Sequence, residues 1–348
     1  MLKIGIIGCG KITEVRHAPE YHENPACSLT AYYDADPARS QTMAALYGGK
    51  ACSSVEELLA ENLDAVSVCV ANKDHAAVSI AALEAGFHVL CEKPMASTLE
   101  ECLAMNAAAQ KAGKLLMIGH NQRYARAHVK ARELIARGEI GEILSFATTF
   151  GHSGPEGWTG LRNSWFFDKS RASFGSMADL GVHKTDLLHY LCGQRIVEVT
   201  ATLQTLHKTF PDGSPITVDD NAVCLYKMEN GAVGTMRVSW TFYGEEDNST
   251  RIYGTGGCIR LYDHPRYALI VEKPQGENTY YELDKMTSNE EQTTGRRTST
   301  GVIDAFVDSI QNGTPTVASG EEALKAMRVI FAAEESARTG NTIQVSED

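Results

Sequence analysis

The chain begins with an apolar run, Leu2–Ile7, that ends directly on Gly8-Cys9-Gly10. Of all its features this one most restricts the fold. A buried strand must turn at once into the next element, and the turn needs glycine because the backbone is tight and has to admit close approach. The alternation then continues: residues 28–33, 65–70, 88–91 and 115–118 read as further short apolar strands, separated by amphipathic stretches. Asp36 before Pro37 is an N-cap followed by proline at the first helical position, and Ser97-Thr98-Leu99-Glu100 has capping-box spacing. Near-continuous apolar strands alternating with helices predict a parallel sheet covered on both faces, a doubly wound α/β domain of about 120 residues.

Beyond it the pattern changes. Residues 146–150, 196–206, 221–228, 232–242, 250–253 and 258–261 read as longer strands, many joined by turns rather than helices. Glu229-Asn230-Gly231 is a hairpin signal. One helix, about 176–191, interrupts this region, and two more, 302–311 and 321–339, close the chain, the last entered through Ser319 and Glu322. The expected organisation is a parallel α/β domain over 1–122 and an α+β domain with an open, mainly antiparallel sheet over 123–348. The long stretch 151–174 carries Trp158 and Trp165, and long loops in compact domains are usually functional.

The formal charge is −12, from 32 basic and 44 acidic side chains, so no basic surplus exists to meet nucleic acid or an anionic membrane. No apolar run is long enough to span a membrane. The nine cysteines (Cys9, Cys27, Cys52, Cys69, Cys91, Cys102, Cys192, Cys224 and Cys258) contain no C-x-x-C spacing and several lie in apolar runs. They read as small core hydrophobes in a reducing compartment. The first residues already read as a strand, with no signal peptide before them, and a cytoplasmic protein is expected. No metal site is expected.

Four places could carry chemistry. After Gly8 and Gly10, the start of the next helix at Lys11 and Ile12 would offer N–H groups to a pyrophosphate, although Thr13 stands where the dinucleotide fingerprint has a third glycine. Asp34 ends the second strand about 20 residues or slightly more beyond, where an acid accepts hydrogen bonds from an adenosine ribose and repels a 2′-phosphate. That favours NAD over NADP. Glu92-Lys93-Pro94 follows the fourth predicted strand; a lysine there can polarise a substrate hydroxyl, or simply form a surface ion pair. Asp179 and His183 are four apart on the predicted helix and share a face. The spacing suits an acid that orients a general base, two metal ligands, or a plain ion pair. His75 starts a helix beside the expected cofactor site and is an outside candidate, while His17, His22, His128, His207 and His264 lie in polar contexts and are expected at the surface.

Taken together, Gly5-Ile6-Ile7-Gly8-Cys9-Gly10, Glu92-Lys93-Pro94, Gly119-His120-Asn121-Gln122-Arg123-Tyr124 and Asp179-Leu180-Gly181-Val182-His183-x-x-Asp186 resemble the glucose–fructose oxidoreductase / inositol dehydrogenase (Gfo/Idh/MocA) family, in order and over nearly the whole chain. The resemblance implies a Rossmann domain, a second domain whose open sheet commonly mediates association, and hydride transfer between NAD(P) and a hydroxyl carbon of a sugar, inositol or sugar derivative; a homodimer or homotetramer is expected. It implies that Lys93 is the catalytic lysine and Asp179 with His183 the acid–imidazole pair. It further implies that Ala71, Asn72, Glu92 and Asn121 face the nicotinamide side. Tyr124, Trp158, Arg162 and Trp165, with Lys93, Asp179 and His183, would line the substrate pocket. His120 stands where many members carry another residue and is left unassigned. Two other readings stay open: glycoside cleavage or epimerisation through transient oxidation by tightly bound NAD, and a non-catalytic NAD-binding sensor or subunit.

Overall fold

In a computed structural model of the protein, residues 1–161, 164–284, 286 and 300–346 are described. They form two units: Met1–Asn121 with the described residues of 290–324, and Gln122 onward to 289 with Lys325 to the C-terminal strand. The expected organisation had a single boundary after residue 122. Instead the chain returns to the first unit, because Thr300 donates through its N–H and hydroxyl to the Glu20 carboxylate at 3.0 and 3.2 Å. Asn24 donates to Asp304 at 2.7 Å, and the Ile118 N–H reaches the Ala318 carbonyl. These contacts bring the helix Val302–Asn312 back to it.

The first unit is built on six parallel strands: β1 (Leu2–Ile7), β2 (Cys27–Tyr33), β3 (Lys50–Ala51), β4 (Ala65–Val68), β5 (His88–Cys91) and β6 (Leu116–Ile118). Their order is β3-β2-β1-β4-β5-β6, that of a dinucleotide-binding sheet. The edge strand β3 has two residues, too short to show a period in sequence, so the strand expected as the fourth is the fifth. The helix Pro37–Tyr47 is capped by Asp36 as expected. The box expected on Ser97 and Glu100 lies one residue later, as Thr98 with Glu101. Order reverses between β1 and β4, and the carboxyl ends of the strands there are where such sheets take ligands.

The second unit carries nine strands: β7 (Ile143–Gly151), β8 (Ile196–Gln204), β9 (Asn221–Met228), β10 (Val233–Ser239), β11 (Thr250–Gly254), β12 (Gly257–Leu261), β13 (Leu269–Glu272), β14 (Thr279–Tyr281) and β15 (Ile343–Gln344). The order is β14-β13-β12-β11-β7-β10-β9-β8-β15, with β7 and β10 parallel and every other neighbour antiparallel. Glu229-Asn230-Gly231 makes the β9–β10 hairpin, and Gly231 takes the positive φ of 89° that the turn requires. Ala222, Cys224, Tyr226 and Met228 of β9 point into the core, as do Met236 and Val238 of β10. The opposite face exposes Val223, Leu225, Val233 and Tyr253 between threonines and charged residues. Residues 151–174 are not a structureless loop: they hold short helical turns at Pro155–Thr159, Trp165–Phe167 and Lys169–Ala172. All nine cysteines are buried and free. Among the described residues no helix is long and apolar enough to cross a membrane.

Candidate functional site

In the first unit the predicted residues line the carboxyl ends of β1, β2, β4 and β5. Gly8 adopts φ 95°, and a Cβ there would lie 2.4 Å from the Cys69 carbonyl oxygen, so glycine is required on both counts. A Cβ on Gly10 would meet nothing nearer than the Arg39 guanidinium at 3.9 Å, leaving an open approach above the turn. The next helix begins at Lys11, and its first N–H groups, at Lys11 and Ile12, have no acceptor within the helix. Thr13 replaces the third glycine with a brace: its hydroxyl donates to the Gly8 carbonyl at 2.6 Å. This helix then widens into a π turn over Thr13–His17, a departure often found at functional sites.

Asp34 is held from two sides, accepting from the Cys9 N–H at 2.6 Å and the Asp36 N–H at 2.8 Å. Each oxygen keeps a lone-pair direction for a ribose hydroxyl. Ala71 and Asn72 follow β4 in a short helical turn. His75 is buried, with its ring nitrogens 2.7 Å from the Pro94 carbonyl and 3.1 Å from the Val70 carbonyl, so it ties two strand-end loops together. Glu92 is buried beneath the half-buried Lys93 and accepts from the Lys93 N–H at 3.2 Å. The Lys93–Pro94 peptide is cis. Gly119 is needed beside them, since a Cβ would come within 3.2 Å of the Glu92 carboxylate. Asn121 Oδ1 is buried with no hydrogen-bond partner among the described residues. The open glycine turn, the fixed carboxylate and this amide oxygen fit a dinucleotide.

His17 corrects an expectation. It is buried rather than at the surface, with Nε2 2.9 Å from Glu92 Oε1 and Nδ1 3.3 Å from Ser67 Oγ. Burial pulls its pKa down, but Cys69 and Glu92 beside it outweigh that and raise it. Burial works against ionisation of Glu92 as well, yet the His17 hydrogen bond and charge, with Arg16 and Lys93, hold its pKa below the ordinary carboxylate value.

In the second unit the helix expected over 176–191 opens with a π turn, Met177–Gly181, and continues as Val182–Cys192. Its start is capped from a distance: the Asp219 carboxylate accepts from the Gly175 and Met177 N–H groups at 2.8 Å and the Ser176 hydroxyl at 2.7 Å. Gly175 has to be glycine, since a Cβ would collide with the Asp219 carbonyl at 1.8 Å. Asp179 and His183 are both buried on this helix. Asp179 Oδ2 accepts from the indole N–H of Trp240 at 3.1 Å, and the His183 ring lies 6.0 Å from that of Phe150. Trp240 also meets Phe166 at 6.5 Å; Phe166 stacks on Trp165 at 4.0 Å and contacts Trp158 edge-on at 5.9 Å. An aromatic wall thus runs from the predicted pocket residues to the buried carboxylate. Tyr124 lies in the turn Asn121–Tyr124. Arg162 lies outside the described residues.

Three features behind this helix were not anticipated. Arg123 and Asp186 form a buried two-pronged pair, Nε to Oδ2 at 2.8 Å and Nη2 to Oδ1 at 2.7 Å. Lys184 is fully buried, donates to the Asn248 carbonyl at 2.9 Å, and is pushed down to about 7 by burial, against the pull of Asp247 and Glu246. His128, expected at the surface, is also fully buried, and its Nδ1–H donates to the Gln122 carbonyl at 2.7 Å. Burial and the Lys184 charge push it down to about 3. Beside Asp219, Asp220 likewise accepts from the Leu206, His207 and Lys208 N–H groups.

Known proteins share this architecture. Residues 2–120 match the oxidoreductase family with an NAD-binding Rossmann fold, and 128–260 match the GFO/IDH/MocA C-terminal domain. D-glucoside 3-dehydrogenase of Escherichia coli is 26% identical, over 99% of this chain and 97% of that protein. Myo-inositol 2-dehydrogenase of Thermotoga maritima is 26% identical over 99% of each. Levoglucosan dehydrogenase, solved with NADH and levoglucosan, superposes with a TM-score of 0.85 at 25% identity, covering 99% of this chain and 100% of that one. Matched in both of its parts by the domains of one family, the chain belongs to the Gfo/Idh/MocA oxidoreductases and carries their NAD-binding Rossmann fold.

Proposed function

We propose that this protein is an NAD-dependent dehydrogenase of a hydroxyl carbon in a sugar, an inositol or a sugar derivative. The observation that carries the reading is the row of strand ends in the first unit, where the glycine turn, the doubly held Asp34 and Lys93 follow β1, β2 and β5. Asp34 favours NAD over NADP, because a carboxylate accepts from two ribose hydroxyls and repels a phosphate. Gly8, Gly10, Lys11 and Ile12 would hold the pyrophosphate, and Ala71, Asn72, Glu92 and Asn121 the nicotinamide side. Bound NAD supplies the acceptor for the hydride. His183 takes the proton of the substrate hydroxyl at a ring nitrogen, Asp179 orients the imidazole and balances its charge, and Lys93 donates a hydrogen bond to the reacting oxygen. Trp158 and Trp165 offer flat faces to the C–H side of a ring. The names of the two curated relatives, a glucoside and an inositol dehydrogenase, support a ring alcohol as substrate.

We assign the exposed face of the nine-stranded sheet as the surface of a homodimer or homotetramer, and the nine free buried cysteines suit a cytoplasmic protein. Lys93→Ala and His183→Ala test the chemistry. Each should bind NAD nearly as wild type does and turn over about 10²–10⁴-fold more slowly, the range for losing a positioned acid or base. Near wild-type oxidation of every accepted polyol by His183→Ala would overturn the assignment of the base.

A further inference from the structure

We propose that His17 is a positioning residue: through its hydrogen bond to Glu92 it fixes the carboxylate and the Lys93 main chain at the end of β5 in one arrangement. The inference rests on the dehydrogenase reading above for what that arrangement serves, and on the first unit alone for its geometry. His17 and Glu92 are 75 residues apart in sequence and both buried. One carboxylate oxygen is taken by His17 Nε2 at 2.9 Å, and the other accepts the Lys93 N–H at 3.2 Å. The ring cannot swing away, because Nδ1 meets Ser67 Oγ at 3.3 Å and that hydroxyl is held by Tyr21 OH at 2.8 Å. Gly119 leaves the carboxylate just enough room on the β6 side. Tyr21 on the helix, Ser67 on β4, Glu92 after β5 and the Lys93 main chain are thus joined through one imidazole.

The charges around the pair are consistent with that role. Arg16, Glu20 and Tyr21 face it from its own helix, Ser67 and Cys69 from β4, and Lys93 and His75 from the strand-end loops. A buried carboxylate without its counter-ion either takes up a proton or stands as an uncompensated charge. On the nicotinamide side, an uncompensated negative charge would favour the cationic oxidised dinucleotide over the neutral reduced ring. With His17 in place the pair is neutral overall, and Glu92 acts as a fixed acceptor.

The test compares wild type with His17→Gln, Glu92→Gln and the double variant. Glutamine at position 17 carries no charge, so it removes the ion pair by which the imidazole holds the Glu92 carboxylate. Carbon-13 NMR of the Glu92 carboxyl should show no titration between pH 5 and 8 in wild type and a titration moved up towards that range in His17→Gln. The ratio of NADH to NAD+ dissociation constants, from calorimetry, should be flat with pH in wild type. In His17→Gln it should change on the order of tenfold across the Glu92 titration, as expected for one nearby charge at intermediate dielectric. It should be flat again in the double variant, where both charges are gone. An unmoved Glu92 titration in a folded His17→Gln overturns the positioning role, whatever the cofactor does. Failure of wild type to bind either dinucleotide overturns the dehydrogenase reading, while the carboxyl titration still decides for or against His17. A shifted Glu92 titration with a dinucleotide ratio that stays flat would remove the link to the nicotinamide side and overturn the functional half of the proposal.

Discussion

The Arg123–Asp186 pair gives the sharpest test of how the second unit holds its helix. Both side chains are 2% exposed, and two parallel hydrogen bonds at 2.7 and 2.8 Å join them. Tyr190 covers the guanidinium at 5.3 Å. Asp186 is three residues past His183 on the same helix, so the pair fastens that helix to the segment that opens the unit. Arg123→Met keeps most of the volume and removes the charge. Asp186 then loses two charge-assisted hydrogen bonds, each worth about 1.5–3 kcal/mol. Breaking one side of a buried pair costs about 3–5 kcal/mol, and the two figures agree. The three tryptophans, Trp158, Trp165 and Trp240, all lie in the second unit, so urea unfolding followed by their emission reads that unit alone. The midpoint should fall with little change in slope, which marks lost stability rather than a changed denatured state. In a thermal scan the same loss should lower the midpoint by roughly 6–20 °C. Arg123→Met with Asp186→Leu should recover most of it, since apolar replacement of both partners is often close to neutral. A cost under about 1 kcal/mol for Arg123→Met would place the pair among solvated surface contacts and refute the reasoning.

Asp34→Ala should weaken NAD binding on the order of a hundredfold, the value of two charge-assisted hydrogen bonds at about 1.5 kcal/mol each, and should narrow the preference over NADP; tighter binding of NADP than NAD by wild type would contradict the role of Asp34. Trp240→Phe removes the indole donor 3.1 Å from Asp179. Fewer hydrogen bonds to the ionised form raise a carboxyl pKa, so the acid limb of the rate profile should move to higher pH, with turnover down about tenfold; an unmoved profile would show that this bond does not reach the chemistry. Light scattering at micromolar concentration should find a dimer or tetramer, and Leu225→Lys or Val223→Glu on the exposed sheet face should dissociate it. A monomeric wild type would remove that assignment.

Much of the first unit was legible because its signals are local. Apolar runs mark buried parallel strands, Gly8 is dictated by a single backbone angle, and Asp36 caps its own helix. The capping box was read one residue early because Ser97 and Thr98 are equivalent in sequence, and only the chain's turn selects Thr98. His17 was misread because its burial depends on a partner 75 residues away, which no window along the chain contains. The return of Val302–Asn312 to the first unit was hidden for the same reason. In the second unit the alternation of β9 and β10 was plain, while β13, β14 and β15 are short strands with too few residues to show a period. Helical spacing placed Asp179 and His183 on one helix, where both lie, while their roles came only from the family resemblance. Trp240 was not, because it comes to Asp179 from beyond the end of β10 and looked like one more residue of a sheet face.

The most direct test of the central claim is NADH formation by the purified wild-type protein supplied with NAD+ and a panel of sugars, inositols and glycosides, read at the NADH absorbance. The account predicts that at least one of these ring alcohols yields NADH in proportion to the ketone formed, turnover after turnover. Substrate consumption with no NADH ever released would instead assign the protein to chemistry by transient oxidation on retained NAD, and absence of any NAD-dependent conversion would contradict the dehydrogenase reading altogether.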